Sequence, residues 1–290
     1  MRVMVAGITG YIGGSVARAL RAGGHWIRGL ARDPAKLKIP EQADEVFRGE
    51  ATRADTLNGL CDGIDVAFSS IGVHDLSQRK PGIWEVDYAA NMNIVNEARR
   101  AGVKHFIFVS TAGGPEMAKT CPIAEAREKV ARAVAESGMS FTIYRPTGFF
   151  NDMAYVFNSV ARKHRATIYG NPEVKMNPLH GLDFGEEIAR NLNDPRFRNV
   201  FRQVGGPDIM TRRQVTEMAF DVLKLPHKIS YRPIWQFRLL TDIMRPFNYN
   251  LFSLFRFMCF AFTTPDMTGE PIGHRHLRDY FEELASQFKG

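Results

Sequence analysis

The stretch that most limits what this chain can fold into is its first fourteen residues, Met1 to Gly14, which read MRVMVAGITGYIGG. A short apolar run built on Val3 and Val5 stops at Gly7, and Gly10 and Gly13 follow at intervals of three. Beyond them Ile12, Val16 and Leu20 recur every four residues and share one helical face, while Arg18 and Arg21 fall elsewhere. The order is strand, turn, helix. In that setting the glycines supply a tight turn, a close approach of backbone to a diphosphate and close packing of helix on sheet. The unpaired amides at the helix N-terminus favour the negative charge. The pattern predicts a nucleotide site made by Gly7, Thr9, Gly10, Tyr11, Ile12 and Gly13.

Several function classes fall away on composition. The net charge of +7 is spread evenly: residues 1–150 carry 19 Lys and Arg against 16 Asp and Glu, and residues 151–290 carry 19 against 15. A nucleic-acid face would appear as a clustered basic stripe, so no nucleic-acid partner is expected. Three cysteines, Cys61, Cys121 and Cys259, are too far apart for a metal or redox motif. With Met1 leading straight into a strand, the expectation is a cytoplasmic protein in a reducing compartment. The longest apolar run near the C-terminus, Phe257 to Phe262, is far short of the about 20 residues a membrane span needs.

In chain order, Trp26 to Ala31 reads as a second strand ending in Arg32-Asp33-Pro34. An acidic residue there would bind the 2′-hydroxyl of NAD, a basic one the 2′-phosphate of NADP. Arg32 comes first, and Asp33 has another use as the N-cap of a short helix through Lys36. The reading is therefore NADP, with Arg32 at the phosphate and Lys36 also a cofactor-binding residue. Val46 and Phe47 lead into Glu50 and Ala51, which border the adenine. Asp65 to Ser70 is a fourth strand, and its end (Ser69, Ser70, Ile71, Gly72) passes beneath the nicotinamide ribose. From Glu85, the positions Val86, Ala90, Ile94 and Ala98 mark one long helix. Lys104 to Ser110 is a fifth strand and Phe141 to Tyr144 a sixth, followed by a ring-lining turn at Pro146, Thr147 and Gly148. Strands alternating with helices imply a parallel sheet with right-handed crossovers.

The segments VAGITGYIGG, ARDPAKL, VDYAANMNIVNEARRAGVKHFIFVSTAGG and SGMSFTIYRPTGFFND together resemble the atypical short-chain dehydrogenase/reductases, in particular the NmrA-like and isoflavone-reductase-like branch, over residues 1–150. The segments MNPLHGLDFGEEIARNL, QVGGPDIMTRRQV and IGHRHLRDYFEEL look most like the divinyl chlorophyllide reductase group. The resemblance implies a Rossmann domain that binds NADP(H), with a smaller, mainly helical lobe from residues 151–290, interleaved with it, closing over a hydrophobic substrate. The family's usual Tyr and Lys, four residues apart, are missing. Position 125 is glutamate, and Lys129 falls where the resemblance places the lysine, as proton donor or ribose clamp. Ser110 and Thr111 are weaker candidates for polarising a carbonyl. His180 precedes a helix whose start is marked by Asp183 and Glu186 at capping-box spacing; it is a further candidate acid. Thr211 with Gln214 marks a second such start. No metal site is legible.

The implied function is NADPH-dependent reduction of a conjugated carbonyl or alkene, tetrapyrrole-like or quinone-like. The alternative is an NADP(H)-binding sensor or assembly factor without turnover, which the missing tyrosine favours. The segment from Tyr231 to Phe262 carries Arg232, Arg238, Arg245 and Arg256 among aromatic and aliphatic residues, with Asp242 its single acid. It reads as core of the second lobe, as the wall of a pocket, or as a peripheral membrane surface with Leu251, Phe252 and Phe255 immersed. Pro246 and Asn248-Tyr249-Asn250 should break it into two helices.

Overall fold

The computed structural model describes residues 1–37, 42–73, 75, 77 and 79–288. Its frame is a sheet of eight strands, all parallel. In chain order these are β1 (Arg2–Ala6), β2 (Trp26–Ala31), β3 (Glu45–Arg48), β4 (Val66–Ser69), β5 (His105–Val109), β6 (Ser140–Pro146), β9 (Val200–Gly205) and β13 (Glu270–Pro271). Their spatial order is β13-β9-β6-β5-β4-β1-β2-β3. The chain starts in the middle, winds outward through β2 and β3, then returns to lay β4 on the other side of β1. That reversal opens a crevice at the carboxyl ends of β1 and β4, where open α/β sheets take their ligands.

Alternation along each strand fills both faces of the sheet. In β1, Met4 and Ala6 enter one core, with Ile94, Val95 and Ala98 of α2 (Asn91–Arg100) and, beyond the short α3 (Gly114–Ala118), Val130, Ala131 and Val134 of α4 (Pro122–Ala135). Val3 and Val5 enter the other, with Val16, Ala17 and Leu20 of α1 (Tyr11–Ala22) and Phe184 and Ile188 of α6 (Gly181–Asn191). The fold is the doubly wound α/β arrangement the sequence predicts. The boundary at residue 150 does not divide it: β9, β13 and α6 come from the second half and complete the first layer. The rest of that half is mainly helical. Phe150 and Phe157 of α5 (Phe150–Lys163), Phe220 of α7 (Arg212–Val222) and Phe281 of α10 (Leu277–Phe288) form its own core. Around it lie a two-stranded sheet of β7 (Ala166–Tyr169) and β11 (Ile229–Arg232), and a three-stranded one of β8 (Lys175–Met176), β10 (Met210–Thr211) and β12 (Asp266–Met267).

Local signals decide several boundaries. The Asp33 carboxylate accepts from the Ala35 amide at 3.1 Å and caps the short helix Pro34–Lys36. Thr211 and Gln214 close a reciprocal capping box at the start of α7. The break near Pro246 separates α8 (Ile234–Met244) from α9 (Tyr249–Thr263), which the Asn248 side chain caps. Two expectations are corrected. The expected helix from Glu85 is not uniform, because Trp84–Ala90 is wound as a wider π-helix before α2. The Asn91 amide donates to the Val86 and Asp87 carbonyls at 3.3 and 2.9 Å, inserting a side chain into the backbone ladder there. At α6 the cap is His180, whose Nδ1 accepts from the Leu182 amide at 3.2 Å. Asp183 lies inside the first turn, where its buried carboxylate takes the amides of His274 and Arg275 and pairs with the Arg275 guanidinium.

At the opposite end of the sheet His105 is buried between the hydroxyls of Ser140 (2.9 Å) and Thr142 (3.1 Å). Burial, with the nearby charge of Arg198, pushes its pKa down from 6.5 to about 3. The folded chain therefore binds fewer protons than the unfolded chain between those values, and stability falls as pH drops through 6.5. Urea unfolding at pH 7 and pH 5 should show a His105-dependent loss of about 2 kcal/mol at the lower pH. His105→Asn should flatten that part of the pH dependence; an unchanged slope would contradict it.

Candidate functional site

The glycine turn is shaped by contacts that exclude side chains. Gly7 sits at φ +87, a left-handed conformation, and a Cβ there would come within 2.9 Å of Ser70 Oγ. A Cβ on Gly13 would reach 2.9 Å from the Ile8 amide nitrogen and fall still closer to the Gly7 carbonyl. The Gly10 amide donates to that same carbonyl at 2.9 Å. The end of β1, the first turn of α1 and the end of β4 are thus pressed together. This is a cradle for a group that approaches backbone closely, and it fits a dinucleotide diphosphate. Thr9 is exposed beside it, and Ile12 packs against the core below. Tyr11 is partly committed elsewhere: its hydroxyl accepts from the Gly181 amide at 3.0 Å and ties the turn to α6. Burial pushes its pKa up to about 12.

At the ends of β2 and β3, Arg32 is well exposed and lies 3.9 Å from Glu50, a loose ion pair. Lys36 ends the adjacent short helix; its side chain lies outside the described residues. Ala51 follows Glu50, and its carbonyl accepts from Asn93 at 2.9 Å.

The loop after β4 is held by residues that sequence reasoning missed. Asn91 is fully buried; its Oδ1 accepts from the Ser69 hydroxyl at 2.6 Å and its amide donates to Ile71 O at 3.1 Å. Asp87, also fully buried, accepts from the Val73 amide at 3.1 Å and from Arg127 Nε at 2.8 Å. A Cβ on Gly72 would lie 2.8 Å from Asp87 Oδ1 and nearer still to Arg127 Nη2. A fixed guanidinium therefore backs the chain at Gly72. Polar Asp87 and Asn91, four apart within an otherwise apolar helical stripe, were the signal in the sequence.

Lys129 is not in this place. Two positions along α4 turn a side chain by about 200°, so Lys129 and Arg127 leave opposite sides of the helix. Lys129 is half exposed, paired with Glu125 at 2.9 Å, and lies 5.0 Å above the Trp84 ring. Ser110 is also diverted: its hydroxyl donates to Glu128 Oε1 at 2.7 Å, and Arg145 holds that carboxylate at 3.1 and 2.6 Å. Thr147 donates to the Asn177 carbonyl at 2.7 Å. Pro146 ends β6, and Gly148, with open space on its Cβ side, follows. His180 stands among Tyr11, Phe150 and Tyr280. Burial lowers its pKa, in keeping with its role as acceptor of the Leu182 amide.

Thr111 is different. Among the described residues its Oγ1 is buried with no hydrogen-bond partner, just past the end of β5. Nearby, Phe260 of α9 reaches over Gly113, and Phe257 and Phe260 join Ala112, Met117 and Cys121 in an apolar cluster. The site therefore offers an anion cradle, a fixed cation at Arg127, one unsatisfied hydroxyl and an apolar cover. Among the described residues Asp183, Glu186 and His274 also bring possible ligand atoms within 4.8 Å of one another, but the Arg275 guanidinium already bridges the two acids.

A family model described as NAD(P)H-binding matches residues 7–168, more than half of the chain. The chain is 27% identical to the divinyl chlorophyllide a 8-vinyl-reductase of Oryza sativa subsp. indica over 263 residues, 83% of this chain and 65% of that protein. It thus spans less than two thirds of that relative's length. It is 21% identical to the photosystem II assembly factor Ycf39 of Trieres chinensis, covering 86% of this chain and 77% of that one. The fold matches that of the NADPH-dependent quinone oxidoreductase of Escherichia coli with a TM-score of 0.73 over the whole of both chains, at 16% identity. The chain belongs to the NAD(P)H-binding oxidoreductase family, as an atypical short-chain dehydrogenase/reductase of the NmrA-like type.

Proposed function

We propose that the protein is an NADPH-dependent reductase of a hydrophobic conjugated carbonyl or alkene. The observation that carries this reading is the buried, unpartnered hydroxyl of Thr111, the residue that precedes Ala112 of the apolar cluster that Phe257 and Phe260 join. Unsatisfied buried hydroxyls are rare and costly in a purely structural position. Gly7, Gly10, Gly13 and the first amides of α1 would hold the diphosphate, Arg32 the 2′-phosphate, and Gly72 and Arg127 the nicotinamide end. When bound, NADPH supplies a hydride from C4 of its nicotinamide. The Arg127 guanidinium, fixed by its ion pair with Asp87, orients the nicotinamide end and balances charge there. Thr111 Oγ1, both donor and acceptor, hydrogen-bonds the acceptor's oxygen or passes it a proton from water. Phe257 and Phe260 keep bulk water out. The rice relative and the E. coli structure, named for vinyl and quinone reduction, are compatible with such acceptors.

A reading without turnover is favoured by the missing tyrosine and by the outward position of Lys129. NADPH oxidation with quinones, enones and tetrapyrroles separates the two: consumption with any of them, reduced in Thr111→Val, supports the reductase. Cofactor binding with no consumption across the panel supports the sensor.

Cofactor choice gives a separate expectation. Arg32 is only loosely held by Glu50, so it is free to pair with a phosphate. NADPH should bind at least tenfold more tightly than NADH, about 1.4 kcal/mol, and Arg32→Ala should erase most of that difference. Equal affinities in the wild-type protein would overturn the assignment.

A further inference from the structure

The segment from Tyr231 to Phe262 is oriented differently from the membrane reading of its sequence. That reading immerses Leu251, Phe252 and Phe255 of α9, but α9 packs inward. Phe252, Ser253 and Cys259 are buried, the Ser253 hydroxyl accepts from the Ile123 amide at 2.9 Å, and the Asn250 Oδ1 accepts from the Ile83 amide at 3.2 Å. The outward face belongs to α8. Phe237 and Thr241 turn inward and are buried, while Trp235, Leu239 and Ile243, spaced four apart on the opposite side, are 61, 55 and 52% exposed. Leu240 and, past the end of the helix, Phe247 widen the stripe, at 45 and 58% exposed. Surface helices of soluble proteins normally carry polar residues on that face; a stripe this long needs a partner.

The charges around it select one. Arg232, Arg238 and Arg245 are exposed beside the stripe, and among the described residues no acid forms an ion pair with them. Asp242 is the single acid in the segment. A second copy of the chain docking by two-fold symmetry would set this arginine-rich rim against itself, which like-charge repulsion opposes. An anionic bilayer accepts both parts: the apolar stripe enters the acyl boundary, Trp235 suits the headgroup level, and the arginines meet lipid phosphates. No helix among the described residues is long and apolar enough to cross a membrane, so the contact is with the surface.

We propose that α8 is a surface anchor that docks the protein flat on an anionic membrane through Trp235, Leu239 and Ile243. The test is flotation of the full chain with vesicles of phosphatidylcholine alone and of phosphatidylcholine mixed with phosphatidylglycerol. Binding is expected to the mixed vesicles at low salt and to fall at least tenfold at high salt. It should fall at least tenfold in Leu239→Ser with Ile243→Ser, and separately in Arg238→Gln with Arg245→Gln. All of these side chains are exposed, so NADPH affinity and melting temperature should stay near wild type in both double variants and show that folding is intact. Absence of flotation under every condition, or flotation unchanged in the folded variants, would overturn the proposal. So would a dimer in solution that Leu239→Ser with Ile243→Ser dissociates, because the stripe would then belong to a second copy.

Discussion

Arg127→Met is expected to lower stability by roughly 3–5 kcal/mol and to cut turnover far more than Lys129→Met does. The stability effect follows from Asp87, which is fully buried and keeps only the Val73 amide once the guanidinium is gone. Removing one partner of a buried ion pair leaves an uncompensated charge, whose cost is of that size. The functional effect follows from Gly72, whose backbone rests against Arg127 and Asp87. Asp87→Leu with Arg127→Met should recover much of the stability, since apolar replacement of a buried pair is often neutral, yet should not recover activity. Urea denaturation of the single and double variants, with NADPH oxidation beside it, separates the two roles. A single Arg127→Met variant as stable and as active as wild type would remove Arg127 from the site.

Gly13→Ala is expected to reduce NADPH affinity at least a hundredfold. The added methyl group would press on the Gly7 carbonyl and the Ile8 amide. Backbone cannot yield there as a flexible side chain could, so the first turn of α1 must lift away from the end of β1. The amides that receive the diphosphate move with it. Fluorescence titration of NADPH checks the loss, and Gly14→Ala in the same helix, whose Cβ meets the Ile8 carbonyl at 3.1 Å and the Gln42 side chain at 3.3 Å, should be milder. Equal affinity in Gly13→Ala and wild type would contradict the cradle.

What the sequence made legible was what is written in local signals. The strand, turn and helix at Met1 to Leu20, the Asp33 cap, the Thr211 and Gln214 box and the break at Pro246 each depend on a few neighbouring residues. What it hid depends on partners far away along the chain. Asp87 meets Arg127 forty residues later, and only the stacking of α4 on the π-helix reveals that Arg127 faces Gly72 while Lys129 does not. Ser110 and Thr147 looked available because their partners, Glu128 and Asn177, stand on other elements. β13 is two residues long and exists only because β9 offers it an edge. In the 231–262 segment both helices are apolar on more than one side, so periodicity alone could not choose the outward face.

In the proposed reductase, NADPH lies between the glycine turn and the Gly72–Arg127 contact, with Thr111 at the reacting end. A crystal structure of the NADPH complex tests it most directly. The diphosphate is expected on the first amides of α1, and the nicotinamide riboside within hydrogen-bond reach of Arg127 or Thr111. A nicotinamide end bound at Lys129, or a diphosphate bound away from Gly7 to Gly13, would contradict it.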